Sequence, residues 1–189
     1  NSTGSNNTAI GMQAMKANTT ADNNTAVGYQ TLYANSTGAD NTAVGKDTMV
    51  SNTTGSHNTA VGLGALASNT TADYNTAFGR SALLANTTGT RNIAIGPGAL
   101  DANTTGNDNT AMGYNTLTTN TTGLRNTAVG ASALLSNTAS DNTAVGYFVL
   151  DNCSTGSNNT AVGTECMNAC TTGSANVAMG YRALDNMTT

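Results

Sequence analysis

Asn58-Thr59-Ala60-Val61-Gly62 is followed, seventeen residues on, by Asn75-Thr76-Ala77-Phe78-Gly79, and the same five-residue pattern returns along the whole chain. Its last residue, the anchor glycine, stands at positions 11, 28, 45, 62, 79, 96, 113, 130, 146, 163 and 180, with a single step of sixteen between Gly130 and Gly146. Asn always lies four residues before the anchor and Ala two before it. Self-similarity at a fixed short period is the signature of a repeat architecture and overrides any reading of the chain as an ordinary domain.

Two further columns are apolar. The residue just before the anchor runs Ile10, Val27, Val44, Val61, Phe78, Ile95, Met112, Val129, Val145, Val162, Met179. Four after the anchor the column reads Met15, Leu32, Met49, Leu66, Leu83, Leu100, Leu117, Leu134, Leu150, Met167, Leu184. A unit with about two large apolar side chains cannot bury them alone, so neighbouring units must stack and cover each other's columns. Seventeen residues are too few for a helix pair and suit one turn of a β-solenoid. The expectation is therefore an all-β, β-roll-like solenoid of about eleven coils, about 50 Å long, filling residues 1–189 as one repeat array.

Within each coil, Asn-Thr-Ala-Val-Gly predicts the strand. Alternation puts Thr and Val on one face and Asn, Ala and Gly on the other. Because Ile93 and Val177 replace Thr in its column, the Thr/Val face is expected to point inward, where β-branched shape matters more than a hydroxyl. The small Ala/Gly/Asn face would then lie outside and admit another backbone closely. The second half, as in residues 28–35, reads as a short strand or a single helical turn. The tail, Asn-Thr-Thr-Gly, is turn chemistry.

Composition excludes several functions. Only 8% of residues are charged, the net charge is -4, and Trp is absent. No basic cluster is available to neutralise phosphates, so nucleic acid is not a partner, and no apolar stretch is long enough to span a membrane as a helix. The chain opens on Asn1 with no signal-like segment and is expected to be a processed product or a window of a longer fibre. The lone histidine, His57, shares a turn column with Asp40, Tyr74, Arg91, Asp108 and Arg125 and reads as a solvated loop residue. Triad or metal-ligand spacing is missing, as are the paired carboxylates calcium would need. No cofactor and no enzymatic activity are expected.

Cys153 and Cys170 each lie seven residues after an anchor. That places them one rung apart, about 4.8 Å, within disulfide reach. A rung-to-rung disulfide and two stacked thiols are both compatible with this spacing, with Cys166 left over. The same turn position elsewhere holds Asn18, Asn35, Asn52, Asn69, Asn86, Asn103 and Asn120, each in an N-x-S/T sequon; Asn152 and Asn186 keep the sequon one residue earlier in register, and Asn6, Asn23 and Asn158 carry it before the strand. Two readings stand: an Asn ladder capping the turn, or glycosylation along one edge.

The Asn-Thr-Ala-Val-Gly core, as in 41–45 and 126–130, resembles the head repeats of trimeric autotransporter adhesins, and the longer unit 58–71 resembles repeats of phage and bacterial tail-fibre-like proteins. The resemblance implies a β-roll, assembly as a trimer and a place on a cell or virion surface. The expected function is an extracellular structural shaft that self-associates, as a trimer or an end-to-end fibril, with glycosylation, adhesion and glycan partners as further expectations. The alternative is a Thr-rich surface binder such as an ice-binding solenoid, which the paired Thr residues, such as 53 and 54 or 87 and 88, would serve.

Overall fold

The computed structural model describes residues 2–186. Eleven three-residue strands form one parallel sheet in sequence order: β1 (Thr8–Ile10), β2 (Thr25–Val27), β3 (Thr42–Val44), β4 (Thr59–Val61), β5 (Thr76–Phe78), β6 (Ile93–Ile95), β7 (Thr110–Met112), β8 (Thr127–Val129), β9 (Thr143–Val145), β10 (Thr160–Val162) and β11 (Val177–Met179). Equivalent residues of successive repeats face each other, Thr59 opposite Thr76 and Ala60 opposite Ala77. Every connection is a full coil, which is why neighbours run parallel. The short repeat keeps the register, with Ala128 opposite Ala144; the deletion is absorbed in the turn between Asn137 and Asn142. The chain is a β-solenoid, and no helix occurs among the described residues.

The sheet faces the opposite way from the alternation argument. Ala26, Ala43, Ala60 and their equivalents through Ala161 are fully buried, whereas Thr59 is exposed and Val61 half-buried. Phe78, Ile95 and Met179 lie open to solvent. The interior of a seventeen-residue coil is too narrow for a second large column. It is filled by the Leu/Met column, with Leu32, Met49, Leu66, Leu83, Leu100, Leu117, Leu134, Leu150 and Met167 wholly buried, and only Ala fits opposite. Ile93 and Val177 are tolerated because β-branched shape suits an extended backbone on either face.

The second half of the coil is neither strand nor helical turn. Its second and fourth residues after the anchor sit in the left-handed region, Ser81 at φ 59° and Leu83 at φ 52°, which a right-handed helix cannot contain. Hydrogen bonds between coils, Leu66 N–H to the Ala82 carbonyl (3.0 Å) and Ser81 N–H to the Leu63 carbonyl (2.9 Å), alternate with tight turns inside the coil, such as Asn69 N–H to the Leu66 carbonyl (3.1 Å). A left-handed leucine costs about 1–2 kcal/mol. Burying its side chain returns about 1.5–3 kcal/mol, so the interior column sustains the strained corner. The anchor itself must be glycine: Gly62 has φ 132°, and a Cβ there would meet the Gly79 carbonyl oxygen at 2.6 Å.

Two columns of buried Asn complete the interior. In the turn column Asn52 Nδ2 donates to Asn35 Oδ1 (2.8 Å) and to the Gly55 carbonyl (2.9 Å), and Asn69 repeats the pattern on Asn52 (2.8 Å) and Ala72 (3.0 Å). In the column before the strand, Asn41 Oδ1 accepts from the Asn58 N–H (3.0 Å) while Asn41 Nδ2 reaches the Gly55 carbonyl (2.9 Å). Buried amides would cost about 1–3 kcal/mol each if left unpaired; here each serves turn carbonyls that the fold has removed from water.

Candidate functional site

The outward strand face carries three columns: the strand Thr, the apolar residue before the anchor and the residue after it. The first two contain no charged residue, and the third has only Lys46 and Arg80. Ile10, Phe78, Ile95, Met112, Val145 and Met179 are exposed, as are Tyr29, Leu63, Tyr114 and Tyr147 beside them. Scattered exposed apolar residues are ordinary, but a contiguous row of this kind marks an interaction surface. The strand Thr column and most residues of the column before the anchor are β-branched, hence restricted at χ1, and the zero-slip register spaces them one rung apart. The result is a rigid array about 50 Å long and about 10 Å wide.

A second ladder follows the corner before the strand, where every coil again has a left-handed residue. Arg91 donates to both carboxylate oxygens of Asp108 (2.6 and 2.9 Å), and Arg125 does the same to Asp141 (2.7 and 2.8 Å). These hydrogen bonds hold both carboxyls below the ordinary carboxylate range. All four side chains are solvated, so the pairs are weak contributors to stability. His57 stacks on Tyr74, centroids 4.9 Å apart, with Nδ1 3.8 Å from Asp40.

The turn sequons lie inside the coil. Asn18, Asn35, Asn52, Asn69, Asn86, Asn103 and Asn120 are buried, and the Nδ2 to which a glycan would be joined donates within the core. Glycosylation at these seven positions is incompatible with the folded coil; the ladder reading holds for them. Asn152 and Asn186 are exposed, as are Asn6, Asn23 and Asn158 at the corner. The regular turn motif cannot by itself separate the two readings, because a sequon reports local sequence and burial is a property of the closed coil.

Cys153 and Cys170 do stand in adjacent rungs of the turn Asn column, but as free thiols, like Cys166. Of the two readings of that spacing, the structure has the stacked thiols and not the disulfide. Each sulfur takes over the local bond of the Asn it replaces, Cys153 Sγ–H to the Gly156 carbonyl and Cys170 Sγ–H to the Gly173 carbonyl, both 3.5 Å. Burial, with Cys170 alongside, pushes the Cys153 thiol up to about 12, far from thiolate reactivity.

Sequence reasoning passed over the fifth residue after the anchor. Asp101 and Asp151 stand there, each with a buried Oδ1 that has no hydrogen-bond partner. Burial raises both carboxyls above their ordinary value. Among the described residues no three His, Cys, Asp or Glu side chains converge as a metal site would require, and no helix is long and apolar enough to cross a membrane. In comparisons with known proteins, no family model, no curated protein and no solved structure matches the chain.

Proposed function

We propose that the chain is a segment of an extracellular structural shaft that self-associates through its outward strand face. The observation that carries the reading is the unbroken, uncharged row from Ile10 to Met179, none of it buried: exposed at Ile10, Phe78, Ile95, Met112, Val145 and Met179 and half-buried at the valines between. A face of about 500 Å² on each of two copies buries about 1,000 Å² in total, the lower bound for specific association. The β-branched columns are pre-ordered, so association costs little side-chain entropy. A cell or virion surface, and adhesion, fit a rod that projects a tip.

One observation favours a second reading. The strand Thr hydroxyls point outward in a flat lattice of equal rungs, Thr25 opposite Thr42 opposite Thr59, which suits a surface that orders water, as in an ice binder. The two readings make opposite demands on one face, covered or bare. Multi-angle light scattering of the purified chain separates them: a dimer or trimer that Val61→Lys and Val129→Lys together convert to monomer supports the shaft. A monomer at every concentration, with thermal hysteresis lost in the same variant, overturns it in favour of the ice binder.

A further inference from the structure

The coil around Gly98 departs from its neighbours. The second residue after the anchor carries a side chain in most coils; at Gly98 it does not, and a notch of about 180 Å³ opens between Ser81 and Asn115. Asp101, Arg80, Pro97 and Tyr114 complete its lining. Asp101 keeps a buried Oδ1 without a partner.

The last coil shows what such a carboxylate accepts. Asp185, in the same column as Asp101, receives Arg182 Nη2 at 2.6 Å, and Arg182 occupies the column of Gly98. Gly98 carries no such donor. Arg80, in turn, makes no ion pair among the described residues, unlike Arg91, Arg125 and Arg182. The half-buried Asp101 carboxylate and the unpaired Arg80 guanidinium thus line one small concavity with the Asn115 amide, which offers both functions.

We propose that this notch is a binding subsite for a neutral, polyhydroxylated ligand, one pyranose ring of a saccharide. A free cation would suit Asp101 and be opposed by Arg80; an anion meets the reverse. A hydroxyl donates to the carboxylate and accepts from the guanidinium, so a ring bearing several satisfies both without net charge. Tyr114 and Pro97 present apolar surface for the C–H face of such a ring. Arg80, Pro97 and Tyr114 stand in the outermost column of the strand face, so the chain carrying Val61→Lys and Val129→Lys, in which that face is uncovered, is tested beside the wild type.

The test is saturation-transfer difference NMR on the intact chain with methyl β-galactopyranoside, methyl α-mannopyranoside and methyl β-glucopyranoside, a method that tolerates large assemblies. At least one glycoside is expected to bind in the millimolar range. Asp101→Asn and Tyr114→Ala should each weaken it about tenfold. Gly98→Asn, which tolerates the left-handed backbone, should block it by filling the notch, and Asp151→Asn should leave it unchanged. Melting curves of the four variants keep folding and binding apart. Absence of signal from all three glycosides, or equal signal from wild type and Asp101→Asn, overturns the proposal. Binding of methylguanidinium without any glycoside overturns it in favour of a cation subsite.

Discussion

Leu83 is held at φ 52° and is wholly buried, so its side chain compensates locally for its own backbone. Leu83→Ala leaves the left-handed corner without that compensation and opens a cavity between rungs; a loss of about 2–5 kcal/mol is expected in chemical denaturation. The carboxylates divide into two classes with opposite pH behaviour. Burial raises Asp101 and Asp151, so the folded chain binds protons more readily than the unfolded one and these groups detract from stability as pH rises through their raised folded values. Asp108 is lowered by its hydrogen bonds to Arg91, so its contribution is present above the unfolded value and is lost as pH falls through the folded one. Denaturation at neutral pH should therefore find Asp101→Asn more stable than wild type, with the gain vanishing below the ordinary carboxylate range. Asp108→Asn should be slightly less stable at neutral pH.

The coils are similar elements, but they are not equally bonded. The turn Asn ladder runs unbroken from Asn18 to Asn120, its last rung the longest at 3.5 Å, and ends at the short repeat, where Asn120 Oδ1 is buried without a partner. Asn137 turns instead to the Ala139 carbonyl (3.0 Å) and accepts from Asn142 (3.2 Å). The next two rungs hold thiols, which form weaker hydrogen bonds than amides. Each missing buried bond costs about 1 kcal/mol, and in a solenoid stability is a sum of coil and interface terms, so weak rungs open locally. Hydrogen exchange should show residues 138–186 less protected than the equally terminal residues 2–50. Cys153→Asn with Cys170→Asn should slow exchange in the former and leave the latter unchanged; equal protection of the two ends in wild type contradicts the idea of a seam.

As a whole molecule, the solenoid is a rod with one flat face, charged only at Lys46 and Arg80, and one charged corner. Association through the flat face, as proposed, would be apolar, so the multimer should persist at high salt, where exposed ion pairs such as Arg125–Asp141 are screened. A multimer that dissolves with added salt would place the contact on the corner instead. The notch at Gly98 adds a local irregularity to a uniform shaft, the kind of place where one repeat acquires a task its neighbours lack.

The period of the anchor glycines, the stacking of coils, the parallel register and the rung-to-rung proximity of Cys153 and Cys170 were all legible in the sequence, because each follows from identical units that must cover one another. The face that points inward was not. Alternation states that Thr59 and Val61 share a side and Ala60 the other, but the sign is set by how much volume a closed coil encloses. Once the Leu66 column occupies the interior, only Ala60 fits opposite. The same closure buries Asn52 and Asn69, turns their sequons into a ladder and exposes Asn152. It also creates the notch beside Asp101, since residues 80, 98, 101 and 114 meet only when three coils are stacked. Local sequence determined the unit and its repetition; tertiary closure decided inside from outside, because interior volume belongs to the coil and to no residue within it.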